Sequence, residues 1–412
     1  MPRTSIERSP IRYSSSVREV KIATTLKRAK QFSRKLGITR VTNVTRLDRV
    51  GIPVFCSIRP DAQRGSLCVN AGKGLTEEEA CAGAYMEAIE FALAEFGASS
   101  VRALQATPRD LLGGSLRPDA ILDFCPAQNQ IIPLNGPLQC VEAEEVITAT
   151  QCLVPAEQVF MPYPESLGGI RGFGSSTNGL CSGNSILEAS VHGIVETIER
   201  DIDTFQIVRN TSALLLEASY PESIASAAAA IREAGMVLFV RYSANEFGMP
   251  HFKAIVYDPM EPNPIYVCAG VGCHVDRSIA LTRAVCEALQ SRLAFIHGGR
   301  DDLTKRYDEF RGWDQSRIRD YTNYLIKRAS DSSRCISFDQ VPGPGDGIRN
   351  LNTIFHILTE ALGRAGIHRI CRVVFTRPED PLHVIRIIIP KLEFYDPVCR
   401  RVGVRLRDHV RQ

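Results

Sequence analysis

Three stretches of this chain align with one another without gaps, and this internal repeat constrains the fold more than any other feature. In each copy an alanine precedes a glutamate by seven residues, and a second polar residue follows that glutamate by three. The glutamates and their polar partners are Glu87 with Glu90, Glu196 with Glu199, and Glu287 with Gln290. A short glycine-bearing segment precedes each copy and predicts a turn between a strand and a helix. The repeat therefore predicts an α+β fold, with three strand–glycine turn–helix units gathered around a common centre.

Hydrophobic periodicity predicts further elements outside the repeats. Helical spacing covers residues 22–36, and Gly37 is placed to end that helix. Two extended runs, residues 52–59 and 66–70, flank a turn-rich segment and predict a hairpin. Apolar and β-branched runs predict strands at residues 251–257, 265–268, 370–376 and 384–390, the last two in the interior of a sheet.

Composition along the chain predicts its division into regions. These are a basic helical segment (1–44), a main domain (45–395), an insertion or small subdomain within it (107–165), and a tail without a proline-rich motif (396–412). The opening segment carries many more cations than acids, Arg18 among them. A solvated helix face is the favoured explanation, while a transit peptide or a dock for an acidic peptide stays open.

Overall composition excludes several classes of protein. The 13 cysteines form no C-x-x-C pair, so we interpret them as small buried side chains in a reducing compartment. No apolar run is long enough to cross a membrane, and the first residues lack a secretory signal, so we expect a cytoplasmic protein. The formal net charge of +3 is too small to argue for nucleic acid as a partner.

The paired glutamates carry the chemical argument. Residues three apart lie on one face of an α-helix, so Glu87 and Glu90 point two carboxylates in one direction, as do Glu196 and Glu199. Their neighbours are mostly apolar, which makes these charges costly unless a cation compensates them. Magnesium suits hard oxygen ligands and commonly binds substrate phosphates as well. A solvated acidic stripe would explain one pair, but two pairs in register with Glu287 favour a metal site.

Three cations near the repeats are candidates for contact with phosphate. Lys73 lies in a glycine-flanked segment before a helix, where backbone amides form an anion site, although the spacing of a Walker A loop is absent and an exposed turn lysine is the usual alternative. Arg200 follows Glu199 directly, and Arg283 precedes Glu287 by four residues. A structural ion pair would explain either arginine about as well if the repeat were ignored.

Three motifs resemble the ATP-binding signatures of the YcaO family. They are GKGLTEEEACAGAYMEAIE at residues 72–90, NGLCSGNSILEASVHGIVETIERD at 178–201 and LTRAVCEALQSR at 281–292. The resemblance implies that ATP and Mg²⁺ bind at the centre of a domain with neither a kinase nor a P-loop fold. The first signature departs from the family pattern, because Gly83 replaces a serine and Phe91 replaces an arginine.

The resemblance also implies roles by position. Metal ligands would be Glu87, Glu90, Glu196, Glu199 and Glu287. Residues that contact the nucleotide would be Thr25, Lys73, Cys181, Asn184, Glu188, Arg200, Arg283 and Gln290. Within these sets, we expect Glu199, Arg283 and Glu287 to take part in catalysis.

The family's reaction suggests what the chain does. A nucleophile adds to a peptide backbone carbonyl, the resulting oxyanion takes the γ-phosphate of ATP, and phosphate leaves with the former amide oxygen. Ring-forming members commonly end in a proline-rich tail, which is absent here, and residues 47–54 resemble members that work with a TfuA partner. The resemblance therefore implies thioamide formation on a ribosomally made peptide, with an azoline-forming cyclodehydratase that acts on Cys, Ser or Thr as the alternative.

Two interpretations from other classes stay open. A non-catalytic subunit that binds a precursor peptide would have degenerate carboxylates, and here they are retained. A metal-dependent hydrolase would use histidine ligands, but His192 alone lies within the repeated segments, and one helical histidine is usually structural. The expected partners are a precursor peptide or protein and a TfuA-type protein, and a homodimer stays open. No feature names the peptide.

Overall fold

The computed structural model describes residues 10–113, 118–395 and 399–411. The helices in that part of the chain are α1 Ile22–Ser33, α2 Glu77–Ala94, α3 Pro108–Leu111, α4 Ile186–Arg209, α5 Glu222–Glu233, α6 Arg277–His297, α7 Thr304–Phe310, α8 Gln315–Ala329, α9 Leu351–Arg364 and α10 Val404–Arg411. The strands are β1 Ile11–Arg12, β2 Val17–Arg18, β3 Arg40–Asn43, β4 Val54–Ile58, β5 Val69–Lys73, β6 Leu104–Ala106, β7 Leu138–Glu145, β8 Thr150–Pro155, β9 Leu180–Gly183, β10 Ala213–Leu215, β11 Val237–Tyr242, β12 His251–Tyr257, β13 Cys268–Cys273, β14 Cys335–Ile336, β15 Cys371–Val374 and β16 His383–Ile388.

The strands form separate sheets, each of which supplies part of the molecule's centre. β1 pairs with β2, and β3-β4-β5 form a three-stranded sheet. A six-stranded sheet has the order β6-β7-β15-β16-β9 with β8 on β7, and a five-stranded sheet has the order β13-β12-β11-β10-β14. β5, β9 and β13 pair with their neighbours antiparallel. The mixed α+β architecture predicted from the repeat is confirmed.

Each repeat consists of one strand followed by one helix: β5 with α2, β9 with α4, and β13 with α6. The three strands belong to three different sheets, so each sheet presents one helix to the common centre. A side-chain oxygen caps each helix at its start, supplied by Thr76, Ser185 and Asp276. These caps satisfy backbone N–H groups where the chain leaves the strand, which fixes the point at which each helix begins.

The glycine turns predicted before these helices are only partly confirmed. Gly74 lies between β5 and α2, and Gly179 lies in a turn before β9, but Gly72, Gly183, Gly270 and Gly272 lie within strands. A Cβ atom on Gly72 would lie 2.1 Å from the backbone oxygen of Ala80, and one on Gly270 would lie 2.2 Å from the backbone nitrogen of Ala288. Such distances are possible only without a side chain. Glycine is therefore present so that each helix can lie directly against the backbone of its own strand.

The predictions for the first part of the chain are largely confirmed. The helix predicted at 22–36 is α1 followed by a 3₁₀ turn, and Gly37 ends it with φ 69°. The predicted hairpin is β4 paired with β5, although β5 continues to Lys73. The longer β5 places Lys73 at the end of a strand and not in a turn.

The strand predictions for the second half are correct with one exception. β12, β15 and β16 are present, and the last two lie inside the six-stranded sheet as expected. The strand predicted at 265–268 is wrong, because Pro264–Tyr266 form a 3₁₀ turn and β13 starts at Cys268. The conformation that Pro264 imposes on the chain suits the start of a turn.

The segment predicted as an insertion or small subdomain, residues 107–165, shares a sheet and a core with the rest of the molecule. Its strand β7 pairs with β6 and with β15. Leu111 and Leu138 belong to the same hydrophobic cluster as Ile89 of α2 and Val384 of β16. The described residues of the segment therefore pack as part of the main domain; residues 114–117 lie outside the described part.

The described part of the tail docks onto the body of the molecule. In the tail, Leu406 of α10 is buried, and Arg405 donates to Asp201 of α4 and to Glu246. Residues 396–398 and 412 of the predicted tail, and residues 1–9 of the predicted basic segment, lie outside the described part.

In the basic segment, several cations are exposed, as a solvated face requires. They are Lys21, Lys27, Lys30, Arg34, Lys35 and Arg40.

Most of the cysteines are buried, as the composition predicts. Eight of the 13 cysteines are buried, and the described residues contain no disulfide. No helix in the described ranges is both long and apolar enough to cross a bilayer.

Candidate active site

A cavity of about 370 Å³ lies where the three repeats meet. Its wall includes most of the side chains predicted for the site, namely Thr25, Lys73, Glu87, Glu90, Glu196, Glu199, Arg200, Arg283, Glu287 and Gln290. The fold thus brings five carboxylates from three helices, and four cationic or amide side chains, to one place.

Backbone amides hold two equivalent carboxylates in their own repeats. Glu87 Oε2 accepts from the Ala71 N–H of β5 at 3.0 Å, and Glu287 Oε1 accepts from the Val271 N–H of β13 at 3.4 Å. Each glutamate lies sixteen residues beyond its donor, so the same strand–helix geometry recurs in the first and third repeats.

Other contacts join different repeats. Glu199 Oε2 accepts from the Cys273 N–H of β13 at 2.8 Å, and Ser182 Oγ of β9 donates to Glu90. Ser182 was not predicted from the sequence, because only the pairing of β9 with β16 brings it beside the first repeat helix.

Two further contacts connect the first repeat to the third. Lys73 Nζ donates to Glu287 Oε2 at 2.6 Å, and Gln290 Nε2 donates to the Ala71 carbonyl at 2.6 Å. One bond is donated from β5 to α6 and the other from α6 to β5, and together they fix the separation of the two repeats.

Several of the cavity carboxylates are buried without enough positive charge nearby to offset the effect of burial on their pKa. Burial raises the pKa of Glu90 to about 8 and that of Glu199 to about 6, and it also raises the pKa of Glu87. Burial alone would raise the pKa of Glu287 as well, but Lys73 and the nearby arginines outweigh it and lower that pKa. The cavity therefore favours the addition of protons or cations, as a set of hard oxygen ligands for Mg²⁺ should.

The two predicted arginines keep unused donors beside these acids. Arg283 Nη1 donates to His192 Nε2 at 3.1 Å, while its buried Nε has no hydrogen-bond partner among the described residues. Arg200 donates no hydrogen bond to any described residue; burial opposes its charge, but Glu199 and its neighbours raise its pKa. Paired guanidinium donors of this kind suit phosphate oxygens.

His192 proves to be part of the cavity wall as well as a structural residue. Burial and the charge of Arg283 lower its pKa well below the usual value, so the ring is neutral and Nε2 accepts from the arginine. No local sequence pattern connects His192 with Arg283, because the two residues are 91 positions apart.

Three predicted nucleotide contacts do not line this cavity: Cys181, Asn184 and Glu188. Cys181 is buried behind the carboxylates, where its Sγ donates to Glu196 Oε2 at 3.2 Å. Asn184 Nδ2 donates to Glu188 Oε1 at 3.0 Å and is also hydrogen-bonded to Thr25 of the cavity wall. Asn184 and Glu188 thus form a polar cluster next to the cavity, whereas Cys181 supports a carboxylate from behind.

The hairpin of β1 and β2 contacts the start of every repeat helix. The pairs are Ser14 with Glu79, Arg18 with Glu188, and Arg12 with Asp276. The expectation that Arg18 belongs to a solvated face is wrong, since it lines the cavity and its Nη1 lies 2.9 Å from Glu188 Oε1. Contacts across 170 positions leave no local pattern in the sequence.

Comparison with protein families and curated sequences gives one consistent result. Residues 71–393 match the family described as "YcaO cyclodehydratase, ATP- and Mg²⁺-binding". An uncharacterized protein of Methanothermobacter thermautotrophicus is 32% identical over 377 residues, which cover 91% of this chain and 94% of that one. An "uncharacterized protein in tfuA 3'region" of Rhizobium leguminosarum bv. trifolii is 31% identical over 380 residues, covering 87% and 84% of the two chains.

Solved structures share the fold. The YcaO protein of Methanopyrus kandleri bound with AMPPCP and Mg²⁺ superimposes with a TM-score of 0.74 at 22% identity, covering 96% of this chain and 98% of that one. A heterocyclase in complex with substrate and cofactor gives a TM-score of 0.71 at 18% identity, covering 94% and 55%. The match over most of the chain confirms the resemblance: this protein belongs to the YcaO family, whose cofactors are ATP and Mg²⁺.

Proposed function

We propose that this protein activates a peptide backbone amide by phosphorylating its oxygen with ATP, and that sulfide then replaces that oxygen to give a thioamide. The observation that carries the proposal is the convergence of five glutamates and two arginines with unused donors on one cavity. Its family membership and the tfuA-region relative support the choice of reaction.

The carboxylates are the proposed metal ligands. Glu87, Glu90, Glu196, Glu199 and Glu287 would hold Mg²⁺, and the metal supplies positive charge that neutralises phosphate oxygens. Backbone amides and Ser182 already hold several of these side chains in place, so little reorganisation is needed on binding.

The arginines and the polar cluster are the proposed nucleotide contacts. Arg200 and Arg283 would donate to phosphate oxygens, because Arg283 Nε has no acceptor among the described residues and the Arg200 side chain donates no hydrogen bond to any of them. Thr25, Asn184 and Glu188 would hold the part of the nucleotide that lies away from the phosphates, beside the cavity mouth that the β1–β2 hairpin borders.

The reaction balances without another cofactor. Peptide amide, sulfide and ATP give thioamide, ADP and phosphate, with the amide oxygen leaving in the phosphate. An amide oxygen is a poor leaving group, and its phosphorylation makes carbon–oxygen cleavage easy. The protein's contribution is to position the three reactants and to stabilise the charge that develops.

Cyclodehydration is a second candidate that a specific observation favours. The family description names a cyclodehydratase, and two structural neighbours are called heterocyclases. In that reaction a Cys, Ser or Thr side chain adds to the preceding carbonyl, and the same oxygen leaves as phosphate. Against it, the described part of the tail forms helix α10, which packs on α4 and does not line the cavity.

Mass spectrometry of peptide products distinguishes the two reactions. Short peptides encoded beside the gene would be incubated with the protein, ATP, Mg²⁺, sulfide and any co-encoded TfuA-type protein. We expect a mass gain equal to the difference between sulfur and oxygen. Loss of one water without sulfur gain would replace thioamidation by cyclodehydration, and unchanged peptide with wild-type ATP consumption would contradict both.

The matched control is Glu199→Gln, which removes one cavity carboxylate charge at nearly constant shape. It should fold normally and abolish peptide-dependent ATP turnover, because Glu199 is buried at the centre of the carboxylates. Product formation at the wild-type rate by this variant would count against the cavity as the active site.

A further inference from the structure

Arg300 is a cavity residue that lies outside the three repeats. It follows α6, and its side chain lines the cavity together with Leu67, Phe91 and Ala294. A bidentate pair holds the guanidinium, with Nε 3.0 Å from Asp302 Oδ1 and Nη2 2.7 Å from Asp302 Oδ2. Its Nη1 donates no hydrogen bond to any residue of the described ranges, so one face of an oriented guanidinium stays available.

Arg300 and Arg18 lie at opposite ends of the repeat helices. Arg300 follows the end of α6, and it lines the cavity with Phe91, near the end of α2, and with Ala294 of α6. Arg18 belongs to the β1–β2 hairpin, which contacts the starts of these helices. The two arginines therefore border opposite parts of the cavity.

In the function proposed above, the part of the cavity near Arg18 holds the nucleotide. Arg18 pairs with Glu188, which is linked through Asn184 to Thr25. The phosphates of a nucleotide held there would lie near the central carboxylates. The second reactant must then approach the terminal phosphate from the other side, where Arg300 and an apolar wall are found.

We propose that Arg300 binds the oxygen of the peptide amide that is to be phosphorylated. This proposal rests on the proposed function and adds the subsite for its substrate. A guanidinium that Asp302 already orients can donate from Nη1 to a carbonyl oxygen, and the bond strengthens as that oxygen becomes an oxyanion. Leu67, Phe91 and Ala294 would contact the apolar parts of the peptide.

Arginine modification tests the subsite without the complete reaction. The protein would be treated with phenylglyoxal alone, with Mg²⁺ and AMPPCP, and with these plus N-acetylglycine N-methylamide at high millimolar concentration, and adducts would be mapped by mass spectrometry. We expect Mg²⁺ with AMPPCP to protect Arg200 and Arg283 and to leave Arg300 reactive. Addition of the amide should protect Arg300 by several fold. Arg311, with 81% of its side chain exposed, is the internal control that should react throughout.

Two outcomes would overturn the proposal. Protection of Arg300 by Mg²⁺ and AMPPCP alone would mean that Arg300 contacts the nucleotide. Equal modification of Arg300 under all conditions would mean that it only forms an ion pair with Asp302. A failure of the proposed function looks different, because Arg200 and Arg283 would then stay reactive with the nucleotide present.

Affinity measurements give a second, independent readout. Calorimetry of Arg300→Ala should show Mg²⁺–AMPPCP affinity within twofold of wild type, whereas Arg283→Ala should lose at least tenfold. Arg300→Lys keeps the charge but loses the fork, so it should also keep nucleotide affinity. A tenfold loss of nucleotide affinity in Arg300→Ala, with the thermal transition unchanged, would contradict an amide subsite.

Discussion

Lys73 Nζ lies 2.6 Å from Glu287 Oε2, so a lysine of the first repeat forms an ion pair with a carboxylate of the third. The bond is part-buried, and it lowers the pKa of Glu287 against the effect of burial. Lys73 therefore takes a position beside a carboxylate that we propose as a metal ligand. The arrangement makes the lysine a competitor of Mg²⁺ at this carboxylate.

Lys73→Met should tighten Mg²⁺ binding in the absence of nucleotide by about threefold to tenfold, because the metal no longer displaces an ion pair of modest strength. The same change should weaken binding of Mg²⁺ with AMPPCP, since a cation near the phosphates is lost. Calorimetry measures both affinities. Lys253→Met breaks a comparable ion pair with Asp203, which does not line the cavity, and should change neither.

Arg283→Lys should reduce the affinity for Mg²⁺ with AMPPCP by about tenfold, because a lysine cannot replace two guanidinium donors in fixed geometry. The buried Nε without a partner and the contact with His192 show that the guanidinium is held toward the cavity. Arg232→Lys, at an exposed pair with Glu217, is the control. Unchanged affinity in both variants would mean that Arg283 makes only structural contacts.

The metal-free protein should lose stability as the pH rises from about 4.5 to about 8. Burial raises the pKa of Glu90 from 4.5 to about 8, so in this window the folded state holds a proton that the unfolded chain releases. The free energy of unfolding should fall by about 2 kcal/mol, because the water-accessible cavity screens part of the effect.

Denaturant unfolding in a chelator at a series of pH values measures this effect as the difference between wild type and Glu90→Gln. The variant has no carboxyl group at position 90 to titrate, so its curve should be flatter over the same window. Parallel curves for the two proteins would show that Glu90 titrates near its ordinary pKa.

Gly72→Ala should destabilise the protein by about 3 kcal/mol or more, because the new Cβ would meet the backbone of α2 and neither element can move independently. Gly168→Ala is the matched control: nothing lies within 4 Å of its Cβ position, and its φ is not positive. Thermal unfolding measures both. Equal transition temperatures for Gly72→Ala and Gly168→Ala would mean that β5 and α2 can move apart to accommodate the new Cβ atom.

The repeated glutamates were the part of the site that the sequence alone could predict. Helical periodicity places Glu196 and Glu199 on one face, and an apolar neighbourhood makes their charge informative. The structure then shows Glu87 and Glu287 held by equivalent strand amides, as a true structural repeat requires. The α+β class followed from the repeat and Mg²⁺ from the paired glutamates, whereas the family and ATP followed from the resemblance of three motifs; all are confirmed.

The glycines show where local reasoning failed. Gly72 and Gly270 have the composition of a turn, yet they lie in strands because a helix packs on their backbone. Their role depends on a contact with Ala80 and Ala288, residues that approach only after the helix has folded back. A single sequence contains no signal that separates these two uses of glycine.

The sequence by itself determined which side chains the helices project and therefore the acidic, metal-binding character of the centre, because helix periodicity is a local property. Only the tertiary structure decided which cations meet those acids. Arg18 lies far from the repeats in sequence and Arg300 lies just beyond the third, and they enter the cavity through a hairpin and a loop whose positions depend on contacts across the whole domain. Lys73 pairs with Glu287 across 214 positions for the same reason, since electrostatic partners are chosen by proximity in space and leave no periodic trace in the chain.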